Sequence, residues 1–240
     1  MRSQSVGIIP ARGNSKRIER KNLKLLHGKP LVVHTILAAI ESDLDLVVLS
    51  SEDDEVISES MKHVQAEYGQ LPDKFFAIVR PEELSQDHVQ NDSVMLHVLY
   101  QLQHIGINVG AGVLLQPTSP FRTSRDINKA FEIYANNKPC TIVSGAYSDS
   151  FYWTPDFDSN KWGYVEATPI GIPPKFRPGT QWVQKSEKLF EEDGAIYITD
   201  AAKMLVTKTR YNPPFLIYEM DKSIDIDTVA DWTMAEQVAA

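Results

Sequence analysis

Val6-Gly7-Ile8-Ile9-Pro10-Ala11-Arg12-Gly13-Asn14-Ser15-Lys16-Arg17-Ile18-Glu19-Arg20-Lys21-Asn22-Leu23-Lys24 sets a short apolar run against a stretch crowded with cations. The run from Val6 to Ile9 predicts a buried strand, stopped by Pro10. Arg12, Lys16, Arg17, Arg20, Lys21 and Lys24, six of the chain's 24 basic residues, fall within 13 positions against a single acid, Glu19. Gly13 predicts a sharp turn able to offer backbone amides to an anion. Neither G-x-x-x-x-G-K-[ST] nor G-x-G-x-x-G occurs here, which disfavours a P-loop or a dinucleotide fingerprint. A cation cluster directly after a strand points to a polyphosphate site, with a solvated basic loop as the plain alternative.

Outward from this stretch the chain alternates apolar runs with helical periods. Pro30 starts a helix with Leu31, Val33, Ile36, Leu37 and Ile40 inward, and Leu44 to Leu49 reads as a second strand ending at Ser50-Ser51. A helix with Ile57, Met61, Val64 and Tyr68 on one face precedes a strand at Phe75 to Val79. A helix from about Asn91 carries Met95, Val98, Leu99 and Leu102, and Val113 to Leu115 is a strand. Ser124 is the expected cap of a helix with Ile127, Ala130, Phe131 and Tyr134 inward, and Thr141 to Val143 makes the fifth strand. Alternation of this kind predicts an α/β fold, a mostly parallel sheet flanked by helices. In such sheets ligands bind beyond the carboxyl ends of the strands, so the loops after Pro10, Ser50, Arg80 and Gln116 are expected to share one cleft.

Tyr147 to Phe190 is different: it holds Trp153, Trp162 and Trp182, three of the four tryptophans, and five of the fourteen prolines, with little helical period. It reads as an excursion within a single domain over 1–240 rather than as a second domain. Ala195 to Ile198 and Phe215 to Tyr218 follow as strands, and Thr228 to Val238 as a closing helix.

A net charge of −8 argues against nucleic acid or an anionic membrane as partner. No run approaches the roughly 20 apolar residues that span a bilayer. The lone Cys140 beside an apolar run fits a core thiol in a reducing compartment, and the expected location is cytoplasmic. Ser223-Ile224-Asp225-Ile226-Asp227-Thr228 is the second chemical signal. Strand-like alternation puts Asp225 and Asp227 on one face and the isoleucines toward the core. Adjacent carboxylates call for a cation, and hard oxygen ligands suggest Mg2+. The alternative has Asp227 merely capping the last helix.

Five blocks in register carry a family resemblance. Ile9 to Arg17 with Lys21-Asn22, Arg80-Pro81-Glu82-Glu83-Leu84-Ser85-Gln86-Asp87, Leu114-Leu115-Gln116-Pro117-Thr118-Ser119-Pro120-Phe121-Arg122, Gly194-Ala195-Ile196-Tyr197-Ile198 and Ser223 to Thr228 resemble the signatures of the CMP-sialic acid synthetases (N-acylneuraminate cytidylyltransferases). The resemblance implies a Rossmann-like nucleotidyltransferase fold that joins CMP from CTP to a nine-carbon acidic sugar. It implies that Arg12, Lys16 and Lys21 hold the triphosphate, with Ala11 and Gly13 also in the nucleotide site, Asn22 on the ribose, and Arg80 and Asn91 on the base side. Helix capping is an equal alternative for Asn91. Gln116, Thr118, Ser119, Gln184 and Tyr197 would face the sugar, and Lys21, Arg12 and Asp227 would carry the catalysis with Mg2+ on Asp225 and Asp227. The excursion over 147–190 would be a dimerisation arm, making a homodimer.

The chain departs from the family pattern in three places. Val89 to Ser93 is bulkier than the family's base-reading run, Trp182 and Val183 stand where an Arg precedes the Gln, and Asp193 replaces an Asn. A cation for the sugar carboxylate would then come from elsewhere, Lys175 or Arg177 being candidates, and legionaminate or pseudaminate are open as acceptors. No histidine stands out as a base. Rival readings are transfer to an eight-carbon ulosonate or a sugar phosphate, and a non-catalytic nucleotide-binding module.

Overall fold

The computed structural model describes residues 2–148, 150, 152–161, 164–170, 189–221 and 224–238. Its main sheet has seven strands. β1 (Gln4–Pro10) is central; β2 (Leu25–Leu26) and β3 (Lys29–Pro30) form a small separate ladder leading into α1 (Leu31–Glu41). Then come β4 (Leu46–Ser51), α2 (Asp54–Tyr68), β5 (Phe75–Val79), a 3-10 turn (Glu82–Ser85), α3 (Asn91–His104), β6 (Val109–Leu115), α4 (Ser124–Asn137) and β7 (Thr141–Tyr147). β8 (Tyr152–Lys161) and β9 (Tyr164–Ile170) pair with each other alone, before β10 (Phe190–Asp200), α5 (Ala201–Thr207), β11 (Phe215–Glu219) and α6 (Val229–Gln237).

The spatial order is β11-β7-β10-β6-β1-β4-β5. Four pairings are parallel, β1 with β4 and β6, β4 with β5, and β7 with β11. β10 runs antiparallel to both of its neighbours, β6 and β7. The expected mostly parallel α/β sheet is therefore present, with one reversed strand inserted. From β1 the chain first builds toward β4 and β5 and then returns to place β6 on the other side. A ligand crevice belongs at that reversal, beyond the carboxyl ends of β1 and β6.

Apolar residues fill both faces. Ile9, Leu49, Val113, Leu115, Ile196 and Ile198 meet α1, α2 and α4 on one face. Val6, Ile8, Leu114, Val143 and Tyr197 meet α3 and α5 on the other. Burying a sheet on both faces explains why its strands read as continuous apolar runs. A third cluster joins Ile18 of the basic loop to Ile226 and to Trp232 and Ala235 of α6. This fastens the cationic loop and the Asp225–Asp227 segment to one small core.

Two expectations change. α4 is capped by Thr123, whose side chain exchanges hydrogen bonds with Asp126, rather than by Ser124. The buried face of α2 is Val56, Ser60 and Val64, while Tyr68 is exposed. Part of the excursion over 147–190 forms the β8–β9 hairpin; 171–188 lie outside the described residues. Among the described residues no helix is long and apolar enough to cross a membrane.

Candidate active site

The loop after β1 is pinned at several points. Ala11 is fully buried and its N–H donates to the Ser50 carbonyl at 3.0 Å, extending the β1–β4 ladder by one bond. The Gly13 N–H donates to Glu52 Oε1 at 2.8 Å. Glycine is required there by crowding rather than by a positive φ, since a Cβ would stand 2.0 Å from Asp53 Oδ2. The amide that Gly13 was expected to offer to an anion is taken up here by the Glu52 carboxylate. Asn22 is buried and its Nδ2 donates to the Arg12 carbonyl at 2.8 Å, folding the loop back on itself.

Each of the six loop cations has a partner. Arg12 Nη1 lies 2.6 Å from Asp87 Oδ1, and Lys16 pairs with the other oxygen of Asp87. Arg17 and Lys21 lie 3.1 and 3.2 Å from the two oxygens of Asp227, and Lys21 Nζ also donates to the Ile226 carbonyl at 2.7 Å. Arg20 instead clamps Asp53 and Glu55 at the start of α2, and Lys24 sits 4.2 Å over the Trp232 ring. Four of the six thus face one cleft of about 480 Å³, within the range of small-molecule sites. The cleft is also lined by Asn22, Arg80, Asn91, Gln116 and Thr118, and so lies where the sheet reverses. Two carboxylates, Asp87 and Asp227, pair with the four cations, and Asp87 pairs across from the 3-10 side of the cleft. With both cations beside it, first Lys16 and then Arg12, Asp87 sits below the usual carboxylate range.

The wall opposite the loop is built around Glu52, which sequence reasoning missed. Its Oε2 accepts from Arg80 Nη2 at 2.9 Å, Arg80 Nε at 3.2 Å and Ser85 Oγ at 2.7 Å. One carboxylate thereby ties together the loops after β1, β4 and β5. Burial pushes the Glu52 carboxyl up, but the Ser85 and Gly13 hydrogen bonds and Arg80 outweigh it and the net shift is downward. Arg80 is itself buried, which weakens its hold on the proton against the pull of Glu52. Asn91 opens α3 without capping it; the cap position is Gln90, whose side chain makes no cap bond.

On the remaining side, the turn after β6 is held from beneath by Arg122. This guanidinium is 2% exposed and donates to the carbonyls of Ala195 (2.7 Å) and Gln116 (3.3 Å) and to Thr35 Oγ1 (2.8 Å). Burial lowers its pKa to about 10, opposed by Asp193 and Asp126. Thr118 accepts at its carbonyl from Ile226 N–H at 2.8 Å, and its hydroxyl donates to Asp225. Residues 224–227 are not a strand, yet Ile226 is buried and Asp225 and Asp227 face out. Asp225 is exposed to water and does not line the cleft, but the protein around it pushes its carboxyl up, aided by Asp227 and opposed by Thr118 and Lys21. Asp227 does not cap α6: Thr228 does, in a reciprocal bond pattern with Asp231.

Ser119 and Tyr197 stand away from the cleft. Ser119 is fully buried. Tyr197 points to the α3 and α5 side, where its hydroxyl donates to Glu192 at 2.9 Å. Gln116 is brought close to Gly194, whose missing Cβ would lie 3.2 Å from Gln116 Nε2. Asp193, the departure from the family Asn, accepts from Ser144 Oγ (2.6 Å) and the Ala195 N–H (2.9 Å). Ser223, Gln184 and its neighbours Trp182 and Val183, with Lys175 and Arg177, lie outside the described residues.

Residues 6–211 match the family model described as cytidylyltransferase. The chain is 30% identical over 237 residues to the CMP-N,N'-diacetyllegionaminic acid synthase of Legionella pneumophila, covering 97% of this chain and 95% of that protein. It is 30% identical over 252 residues to the N-acylneuraminate cytidylyltransferase of Escherichia coli, covering 98% of this chain but 52% of that protein, so it spans about half of that longer enzyme. A solved structure of CMP:2-keto-3-deoxy-manno-octonic acid synthetase complexed with CTP superposes with a TM-score of 0.66 at 17% identity, covering 98% of this chain and 100% of that one. That likeness shows a shared fold.

Proposed function

This chain belongs to the cytidylyltransferase family, and from that premise we propose that it joins CMP from CTP to a free nine-carbon acidic sugar, releasing pyrophosphate. The observation that carries the proposal is the convergence of Arg12, Lys16, Arg17 and Lys21 on one cleft that also contains Asn91, Gln116 and Asp227. The full-length match to a legionaminic acid synthase favours a sialic-acid-like nonulosonate as the acceptor.

In this reaction the anomeric hydroxyl oxygen attacks the α-phosphorus in line, the bond from that phosphorus to the β-bridging oxygen breaks, and the hydroxyl proton leaves to water. Arg12 and Lys16, freed from Asp87, take the departing pyrophosphate. Lys21, held by the Ile226 carbonyl, offsets charge at the α-phosphate. Gln116 and Thr118, fixed by Arg122 and by the Ile226 N–H, orient the sugar. The donor set suits Mg2+: two carboxylates close enough for one to raise the other's pKa, left to be completed by phosphate oxygens. When bound there, Mg2+ would supply Lewis-acid stabilisation of the phosphate charge. No group of three or more acidic, histidine or cysteine ligands occurs among the described residues.

We further infer a homodimer. The β8–β9 hairpin is a two-stranded sheet apart from the main one, and such a ribbon is marginal without a packing partner. The buried Cys140 suits work in the cytoplasm. The decisive test is pyrophosphate release from CTP and Mg2+ with a panel of nonulosonic acids, an eight-carbon ulosonate and a no-sugar control. Release that depends on a nine-carbon acid is the expected result. CTP binding with no release on any sugar would overturn the proposal in favour of a binding module. Light scattering on a sizing column tests the dimer.

A further inference from the structure

We propose that Arg210, with Asp92, is a positioning residue for the nucleotide cleft, acting from outside it by fixing the first turn of α3. This inference rests on the cytidylyltransferase reading. That turn carries Asn91 into the cleft, yet it lacks the usual fastening. α2, α4, α5 and α6 each begin at a side-chain cap, from Asp53, Thr123, Asp200 and Thr228, whereas Pro30 makes no such bond for α1, nor does Gln90 for α3. Its place is taken from 118 residues away. Arg210 Nη1 pairs with Asp92 Oδ1, and Thr209 Oγ1 donates to Asp92 Oδ2 at 3.1 Å.

The Arg210 guanidinium lies 4.5 Å from the ring centroids of both Tyr197 and Tyr211, which meet edge to face with centroids 6.1 Å apart. Both tyrosine hydroxyls donate to Glu192, at 2.9 and 3.4 Å. Glu192 lies two residues before Gly194, which packs against Gln116. A continuous polar chain therefore runs from the nucleotide side of the cleft to the strand behind the acceptor turn. The side chains of Arg210 and Asp92 are 13% and 10% exposed. A nearly buried ion pair stabilises no better than apolar packing of the same volume. What this one supplies is a fixed orientation for the turn, and it gives the family's Tyr197 a role away from the substrate.

The test compares wild type with Arg210→Met, Arg210→Lys and Asp92→Asn, measuring CTP affinity by titration calorimetry alongside pyrophosphate-release kinetics and melting temperature. Arg210→Met is expected to raise Kd and KM for CTP about tenfold, the scale of a lost charge-assisted hydrogen bond, with kcat at saturating CTP within about twofold. Arg210→Lys, which keeps a charge on Asp92, is expected to recover most of the affinity. If Arg210→Met does not fold, Asp92→Asn carries the test, with a severalfold rise in Kd expected. Wild-type binding of CTP with unchanged affinity in the folded variants, whatever their melting temperatures, overturns the inference alone. Wild type that binds no CTP overturns the cytidylyltransferase reading and this inference with it.

Discussion

Gly13→Ala tests how the cationic loop is seated. An added Cβ would meet Asp53 Oδ2 at 2.0 Å, Cγ at 2.6 Å and Cβ at 2.7 Å, so either Asp53 or the loop must move. Asp53 is the cap of α2, accepting from the Glu55 and Val56 amides at 2.9 and 3.0 Å, and it holds Arg20 at 2.5 Å. Losing the cap costs about 1 kcal/mol, and losing a partly exposed ion pair about 0.5–1 kcal/mol. The lower entropy of an unfolded chain with Ala returns about 0.5 kcal/mol. The net loss is about 1–1.5 kcal/mol, which for a domain of this size lowers Tm by roughly 2–6 °C. Because Gly13 lies next to Arg12, CTP affinity should fall as well. Asp53→Gly supplies the control: glycine is a tolerated cap, and all three clashing atoms vanish. In that background Gly13→Ala should cost nothing further, measured by urea denaturation as a double-mutant cycle. An undiminished penalty in the Asp53→Gly background, or an unchanged Tm for the single variant, would refute the crowding argument.

Lys21→Ala should lower kcat more than it weakens CTP binding, since the proposed mechanism sets Lys21 against the α-phosphate; a change in KM alone would make it a ground-state contact. Asp227→Asn should cut turnover by about two to three orders of magnitude with little change in fold, and near-normal activity would sink the metal assignment. Chelation of divalent cations should abolish pyrophosphate release while leaving the apo melting curve unmoved. Glu52 has a depressed folded-state pKa, so its stabilisation is present above its unfolded value of about 4.3 and is lost as pH falls through the folded one. Melting temperatures from pH 7 down to 3 should therefore fall more steeply in wild type than in Glu52→Gln, and parallel curves would contradict this.

Much of the fold was legible because strands buried on both faces need unbroken apolar runs, and Val6–Ile9 and Leu46–Leu49 supply them. Strand direction was not legible. Ala195–Ile198 is as apolar as its neighbours, and nothing local says that β10 runs against β6. The cations of the first loop could be read from their density, but their partners could not, because Asp87 and Asp227 lie 75 and 206 residues away from Arg12 and Lys21. Tyr197 could have been placed with more care. Once Ile196 and Ile198 face α4, period 2 sends Tyr197 to the other side of the sheet. Arg122 left a faint signal, an arginine ending a proline-fixed turn, though its burial under that turn is tertiary. Glu52 left none, standing in the acidic run from Glu52 to Glu55 that reads as an ordinary helix start.

The pairing within the cleft also sorts its cations by rigidity, and the order matches what the proposed reaction demands. Exposed ion pairs contribute about 0–1 kcal/mol, so a triphosphate displaces them at little cost. Lys16 is 83% exposed and its partner Asp87 46%, so this end of the cluster re-forms readily around an incoming or departing pyrophosphate. Lys21 is 13% exposed and bonded to a backbone carbonyl, so its ammonium is held in place whether or not a nucleotide is present. A fixed charge at the reacting phosphorus lowers the barrier without reorganising, whereas a fixed charge on the leaving group would retain the product. Changing the competition for these cations should then shift release: an added carboxylate partner for Lys16, as in Ser15→Glu, is expected to raise KM for CTP, whereas replacing Asp87 by Asn is expected to tighten pyrophosphate binding, slow its release and lower its Ki. Product-inhibition kinetics on Asp87→Asn decide the matter, and an unchanged Ki would mean that Asp87 does not compete for these cations.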